Sequence, residues 1–168
     1  MEPESSEDTA VPLPMSLVRS ADILTPHPGE MARLVQTPTT IAEAGQHART
    51  LLVQNNRPGT LAAFTDICAG ITVLKGPGTL IGKKGAATVL CPTAVPTLAV
   101  GGSGDVLAGM CGALAAIGMD SFYAAKLAVY LHARAGELLA QKAPLGHLAQ
   151  DIADAVPLAW KELCKPSA

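Results

Sequence analysis

From Val100 to Ile117 the chain reads VGGSGDVLAGMCGALAAI: three glycines and an acid, then little but small apolar side chains. A helix of that composition has no polar face to give to water, so the pattern predicts a helix enclosed on every side. Such a helix needs a sheet beneath it and other helices around it. The shortage of aromatics points the same way. Hydrophobic residues make up 49% of the chain, yet only Phe64, Phe122, Tyr123, Tyr130 and Trp160 are aromatic. A core of Ala, Leu, Val and Ile suits helices packed on a sheet, and 168 residues make one such α/β domain.

Helical and extended periods alternate along the rest. Asp22-Ile23-Leu24-Thr25 is predicted to end a short strand, broken by Pro26-His27-Pro28-Gly29, with a short helix from about Glu30 to Gln36. Thr40-Ile41-Ala42-Glu43 fits a capping box, opening a helix to about Asn55 with Ile41, Ala44, Ala48 and Leu52 inward. Arg57-Pro58-Gly59 reads as a turn, and 61–69 as another short helix. Ile71–Leu74 has the look of a buried strand. Residues 79–81 and 87–90 should be extended, separated by turns at Gly76-Pro77-Gly78 and Gly82-Lys83-Lys84-Gly85. A proline-containing loop over 92–96 leads into the glycine run. Gly118 should end the small-residue helix, and Asp120 should cap the next one to about Lys142. A last helix around 150–163 contains Pro157, which predicts a kink or a restart.

Charge excludes several classes of partner. The net value is −2, which offers no nucleic-acid surface. Glu2, Glu4, Glu7 and Asp8 crowd a Pro- and Ser-rich start, MEPESSEDTAVPLP; setting them aside leaves ten acids against twelve bases. Residues 1–20 are therefore expected to form an acidic disordered arm and residues 21–168 the folded domain. No stretch approaches the roughly 20 apolar residues that span a bilayer, and an acidic start is the opposite of a signal peptide. Cys68, Cys91, Cys111 and Cys164 are scattered without a CxxC pair, which argues against a zinc site and for reduced thiols in a cytoplasmic protein.

Three segments carry residue types suited to chemistry. Gly101-Gly102-Ser103-Gly104-Asp105 opens a helix, where glycines let successive N–H groups of Gly102, Ser103 and Gly104 turn outward at a partly positive helix start. That is an anion hole. An acid there would repel a phosphate, but Asp105 is well placed to take a proton from a hydroxyl beside one. The plain alternative is a glycine turn with Asp105 as a helix-start acid. Lys75-Gly76-Pro77-Gly78-Thr79 follows a buried strand, a common way to meet a nucleotide, or else a β-turn with an exposed Lys. Thr25-Pro26-His27-Pro28-Gly29-Glu30 presents one His in a stiffened loop, a ligand contact or a surface residue. His47, His132 and His147 read as ordinary helix and loop residues. Two familiar designs fail. Five residues separate Gly76 from Gly82 where a Walker A loop has four, and Leu107 stands where a Rossmann fingerprint needs its third Gly.

Taken in order, TPHPGEMARL, ITVLKGPGTLI and GGSGDVLAGM resemble the ADP/ATP-dependent NAD(P)H-hydrate dehydratases of the ribokinase-like superfamily, and YAAKLAVYLHARAGELLA is similar to the family's closing helices. The likeness covers about residues 21–164. It implies a three-layer α/β/α fold that here lacks the N-terminal part of the sheet, to be completed by a partner chain or by homo-oligomers. It also implies that His27 and Asp105 meet hydrated NADH or NADPH, with Asp105 the base. Lys75, Gly76, Pro77, Gly78, Thr79 and Gly104 would meet ADP or ATP, with Mg²⁺ on the nucleotide and no metal site of the protein's own. Ala94-Val95-Pro96-Thr97-Leu98 departs from the family's glycine-containing approach to the GxGD loop. The alternatives are a ribokinase-like small-molecule kinase and a non-catalytic nucleotide-binding remnant or subunit.

Overall fold

The computed structural model describes residues 15–35 and 45–164. Among these, four strands lie side by side in chain order: β1 (Ile23–Leu24), β2 (Ile71–Leu74), β3 (Thr79–Gly82) and β4 (Val89–Cys91). β1 and β2 are parallel, with Ile23 opposite Ile71. β3 and β4 continue antiparallel, Val73 facing Ile81 and Leu80 facing Leu90. Six α-helices accompany them: α1 (Pro28–Leu34), α2 (Gln46–Asn55), α3 (Arg57–Ile67), α4 (Ser103–Ala116), α5 (Ser121–Lys142) and α6 (Ala149–Leu163).

Strand alternation divides the core into two faces. Leu74 and Leu80 point to one side and pack with Met31, Val53, Leu61 and Phe64 from α1–α3. Ile71, Val73 and Ile81 point to the other and pack with Leu107, Cys111, Ala125, Ala128 and Val129 from α4 and α5. A third cluster joins α5 to α6 through Leu131, Leu139, Ile152 and Ala159. The expected three-layer α/β/α arrangement is thus present. Burial of small aliphatic groups, each contributing roughly 1–3 kcal/mol, is its main support.

Four expectations need correcting. The helix predicted to be enclosed, α4, buries only Ser103, Leu107 and Cys111. One stripe at four-residue spacing meets the sheet and α5, while Ala108, Gly109, Gly112 and Ala113 face outward with no described element over them. The segment Arg57-Pro58-Gly59 is the first turn of α3, not a free turn. The Asn56 side chain accepts from the Gly59 N–H, and Pro58 is tolerated where a helix lacks an N–H partner anyway. On α2, Ala48 and Leu52 are exposed and Val53 is the buried residue. This helix lies against α1, where Gln46 Nε2 donates to the Gly29 carbonyl at 2.8 Å, and Leu52 faces outward. Residues 36–44, with the expected capping box and Ile41 and Ala44, lie outside the described residues. Finally, Met15–Leu17 forms a 3₁₀ turn and Val18 is buried in the first cluster, so ordered chain begins before residue 20. Residues 1–14 of the expected arm lie outside the described residues.

The hairpin turns, the Gly118 stop and the Asp120 cap fall where expected; the Asp120 carboxylate accepts from the N–H groups of Phe122 and Tyr123. Helix α6 runs through Pro157 without a restart. No described helix is long and apolar enough to cross a membrane.

Candidate functional site

β1 and β2 end at the same edge of the sheet, and β3 begins there because it runs the other way. The start of α4 faces that edge. In open α/β sheets ligands gather outside the carboxyl ends of parallel strands, where helix N-termini converge. The structure has a cavity of about 520 Å³ at this place, within the range of small-molecule sites. His27, Lys75, Gly76, Pro77, Thr79, Ser103 and Gly104, drawn from all three sequence segments, line it together. Gly78, Gly102 and Asp105 are not among its walls.

Each wall has a local cause. The Pro-flanked loop after β1 sets His27 as N-cap of α1, and its Nδ1 accepts from the N–H groups of Gly29 (3.0 Å) and Glu30 (3.3 Å). Glu30 answers by accepting from the His27 N–H at 2.6 Å, closing a capping box. With Nδ1 an acceptor, the proton of a neutral ring sits on Nε2, 3.3 Å from Glu30 Oε1. The same carboxylate reaches Lys75, whose Nζ lies 3.5 Å from Glu30 Oε2. One acid therefore links the histidine of the first segment to the lysine of the second.

Two glycines of the third segment answer to local geometry. Gly102 is the N-cap of α4 with φ +85°, a left-handed conformation that glycine takes at no steric cost. At Gly104 the reason is proximity, since a Cβ there would stand 2.9 Å from the Lys75 Nζ. Of the three N–H groups expected to form an anion hole, that of Ser103 is already used, donating to the Val100 carbonyl at 3.2 Å. Those of Gly102 and Gly104 have no acceptor among the described residues. Of these two, Gly104 is the one that lies beside Lys75. Asp105, next in sequence, is exposed on the first turn of α4, and its carboxylate makes no hydrogen bond or ion pair among the described residues.

Three residues that sequence reasoning passed over shape this site. Arg57, taken for part of a turn, reaches from α3 to the carbonyls of Leu74 (3.0 Å), Pro77 and Gly78 (2.9 Å), holding the Lys75–Thr79 loop from behind. Burial lowers its guanidinium from the ordinary value. His132, taken for an ordinary helix residue, is buried in the cavity wall with Nε2 3.0 Å from the Ser103 carbonyl and 3.1 Å from Ser103 Oγ. Its signal was present: it falls in the stripe of Ala125, Ala128, Val129 and Leu139 that α5 turns inward. Glu137 accepts from Thr93 Oγ1 at 2.8 Å, fixing one edge of the 92–96 loop, and is itself bound to Arg134 at 2.9 Å. The Arg134 and Thr93 donors hold the Glu137 carboxyl below the usual carboxylate range. Among the described residues no three His, Cys, Asp or Glu side chains cluster as a metal site would.

The chain is similar to known proteins. A family model described as NAD(P)H-hydrate dehydratase matches residues 7–158. The bifunctional NAD(P)H-hydrate repair enzyme of Moorella thermoacetica is 36% identical over 142 residues, covering 84% of this chain and 25% of that protein. The ADP-dependent (S)-NAD(P)H-hydrate dehydratase of Neisseria meningitidis is 36% identical over 135 residues, covering 79% and 42%. Among solved structures, the ADP/ATP-dependent NAD(P)H-hydrate dehydratase of Bacillus subtilis, co-crystallised with ATP and Mg²⁺, superposes with a TM-score of 0.72 at 32% identity, covering 83% of this chain and 47% of that one. The chain therefore spans between a quarter and a half of the length of these relatives.

Proposed function

Because this chain belongs to the NAD(P)H-hydrate dehydratase family, we propose that it uses ADP or ATP to return hydrated NADH and NADPH to their reduced forms. The observation that carries this reading is the contact between Lys75 and Gly104. It joins the KGPGT loop to the start of α4, so that an ammonium and the unbonded Gly104 N–H stand side by side in the cavity wall. Such a space favours a polyphosphate.

In this reading the nucleotide lies in the cavity against Lys75, Gly76, Pro77 and Thr79, with Gly78 completing the loop behind them and the transferring phosphoryl group toward Gly104. His27, half exposed at the rim, meets the hydrated dinucleotide. Asp105, exposed and without an internal partner, takes the proton from the ring hydroxyl as that oxygen attacks phosphorus and the nucleotide leaves one phosphate shorter. The ring carbon–oxygen bond then breaks. Its electron pair departs with phosphate, the ring nitrogen lone pair assists, and the neighbouring carbon loses a proton to restore the double bond. Hydroxide leaves poorly and phosphate leaves well, which is why a nucleotide is needed. Mg²⁺ supplies neutralisation of phosphate charge when bound. The residues present fit an ion carried in by the nucleotide on phosphate oxygens and water rather than one held by a carboxylate cage.

The test is turnover of the purified chain with hydrated NADPH, Mg²⁺ and ADP or ATP, beside Asp105→Asn. Nucleotide-dependent recovery of reduced-nicotinamide absorbance, lost in the variant, supports the reading. Nucleotide binding without recovery in either protein would overturn it for this chain alone. A stable phosphorylated product would instead identify a kinase.

A further inference from the structure

His132 is buried, yet the chemistry above gives it no part. A buried imidazole is costly unless hydrogen-bonded, and here both contacts go to one residue through one ring nitrogen. Nε2 stands 3.0 Å from the carbonyl oxygen of Ser103 and 3.1 Å from its Oγ. An unprotonated Nε2 would set its lone pair against the carbonyl's. A protonated Nε2 satisfies both oxygens, so the ring is held as the Nε2–H tautomer.

Ser103 occupies a particular place. Gly102 before it and Gly104 after it carry the two unbonded N–H groups, and its own N–H is turned back to Val100. The Ser103 carbonyl and the Gly104 N–H belong to one planar peptide unit, so holding that carbonyl fixes the direction of the Gly104 N–H. Among the described residues the hydrogen bonds that Ser103 makes outside the helix go to the Val100 carbonyl and this imidazole. Preorganised donors stabilise an anion more than donors that must first be oriented.

We propose that His132 is a positioning residue: from α5 its Nε2–H holds the Ser103 carbonyl and hydroxyl, and thereby aims the Gly104 N–H of the same peptide unit at a phosphoryl group of the bound nucleotide. The consequence for binding rests on the nucleotide reading of the cavity, whereas the consequence for the turn does not. The comparison is between His132→Phe, which keeps the ring and removes the donor, and His132→Gln, whose amide nitrogen can restore one. Amide hydrogen exchange over 100–106 and ATP affinity are measured for both and for the wild type, with thermal unfolding as a check on folding. His132→Phe should exchange faster in this segment and bind ATP about tenfold more weakly, the effect of one lost buried hydrogen bond. His132→Gln should recover most of both, and the KM for hydrated NADPH should stay unchanged. Unaltered exchange and affinity in His132→Phe overturns the proposal. Faster exchange in a chain whose wild type binds no ATP sustains the positioning role and overturns the nucleotide reading instead. If the Phe variant does not fold, the wild-type imidazole tautomer decides by nitrogen NMR: Nε2–H supports the proposal and Nδ1–H overturns it.

Discussion

Lys75 and Gly104 stand so close that a side chain at position 104 would displace the lysine tip: a Cβ on Gly104 would lie 2.9 Å from the Lys75 Nζ and 3.8 Å from its Cδ and Cε. The contact ties the end of the central strand β2 to the first turn of α4. Glu30, 3.5 Å from the same ammonium, adds the first turn of α1 to the junction.

That relationship separates stability from binding. Gly104 lies in α4 with an ordinary helical φ, so Gly104→Ala strains no backbone. Alanine is the better helix former by about 1 kcal/mol. The obstacle is the tip of a flexible lysine, which can swing aside. Gly104→Ala should therefore unfold at the wild-type temperature or slightly above, while its affinity for ATP falls by about tenfold or more as Lys75 leaves the phosphate position and the N–H cradle is crowded. Thermal unfolding and titration calorimetry check the two halves. Unchanged affinity would mean that Lys75 does not meet the nucleotide.

Cysteine labelling tests the site without mutation. Cys91 lines the cavity and is partly exposed, Cys164 is exposed, and Cys68 and Cys111 are buried. Burial pushes the Cys111 thiol up to about 11, so it holds little thiolate near neutral pH. In the native protein an alkylating reagent should modify Cys164 first, Cys91 more slowly, and the other two only after unfolding. Excess ATP with Mg²⁺ should slow Cys91 and leave Cys164 alone. Mass spectrometry of the labelled peptides reads each site separately, and equal rates at Cys91 with and without nucleotide would remove the nucleotide from this cavity.

The site was legible where short segments carry their own geometry, and obscure where it depends on distant packing. TPHPGE, KGPGT and GGSGD each announce a loop at a strand end or a helix start, and these three loops line one cavity or flank it. Periodicity also read β2 correctly, because all four of its residues are buried. It failed for α4, where small residues on the outer face look the same as small residues in a core. It failed for α2, where Val53 rather than Leu52 meets the core and the helix is positioned by its contact with α1. Arg57 and His132 were missed for a shared reason: each bonds backbone carbonyls far along the chain, which carry no side-chain identity to find.

His132 also makes a prediction about pH. Burial, reinforced by the positive charge of Lys75 and opposed by the Ser103 carbonyl, holds this imidazole below its ordinary value of 6.5. The unfolded chain then binds a proton that the folded one refuses, so stability rises with pH through this window. The contribution is complete above about pH 6.5 and is lost as pH falls from there toward the folded value. Urea unfolding at about pH 7.5 and 5.5 should show a drop for the wild type that is smaller in His132→Gln, which cannot titrate. An equal drop in both would assign the slope to other groups.

Arg57 offers a test of what shapes the Lys75–Thr79 loop. The guanidinium donates to the carbonyls of Leu74, Pro77 and Gly78 at once, a span suited to its planar fork. Arg57→Ala leaves part-buried carbonyls without a donor and should cost roughly 2–3 kcal/mol. Arg57→Lys supplies one compact ammonium for three acceptors and should recover less than half of that. The loop carries Lys75, so ATP affinity should fall in both variants, and further in Arg57→Ala. The order of the two measurements is what discriminates. If Arg57→Ala is as stable as the wild type in urea but binds ATP poorly, Arg57 acts on the nucleotide rather than on the loop. If stability falls while affinity holds, the β2–β3 hairpin keeps the loop in shape by itself, and Arg57 serves only to satisfy its carbonyls.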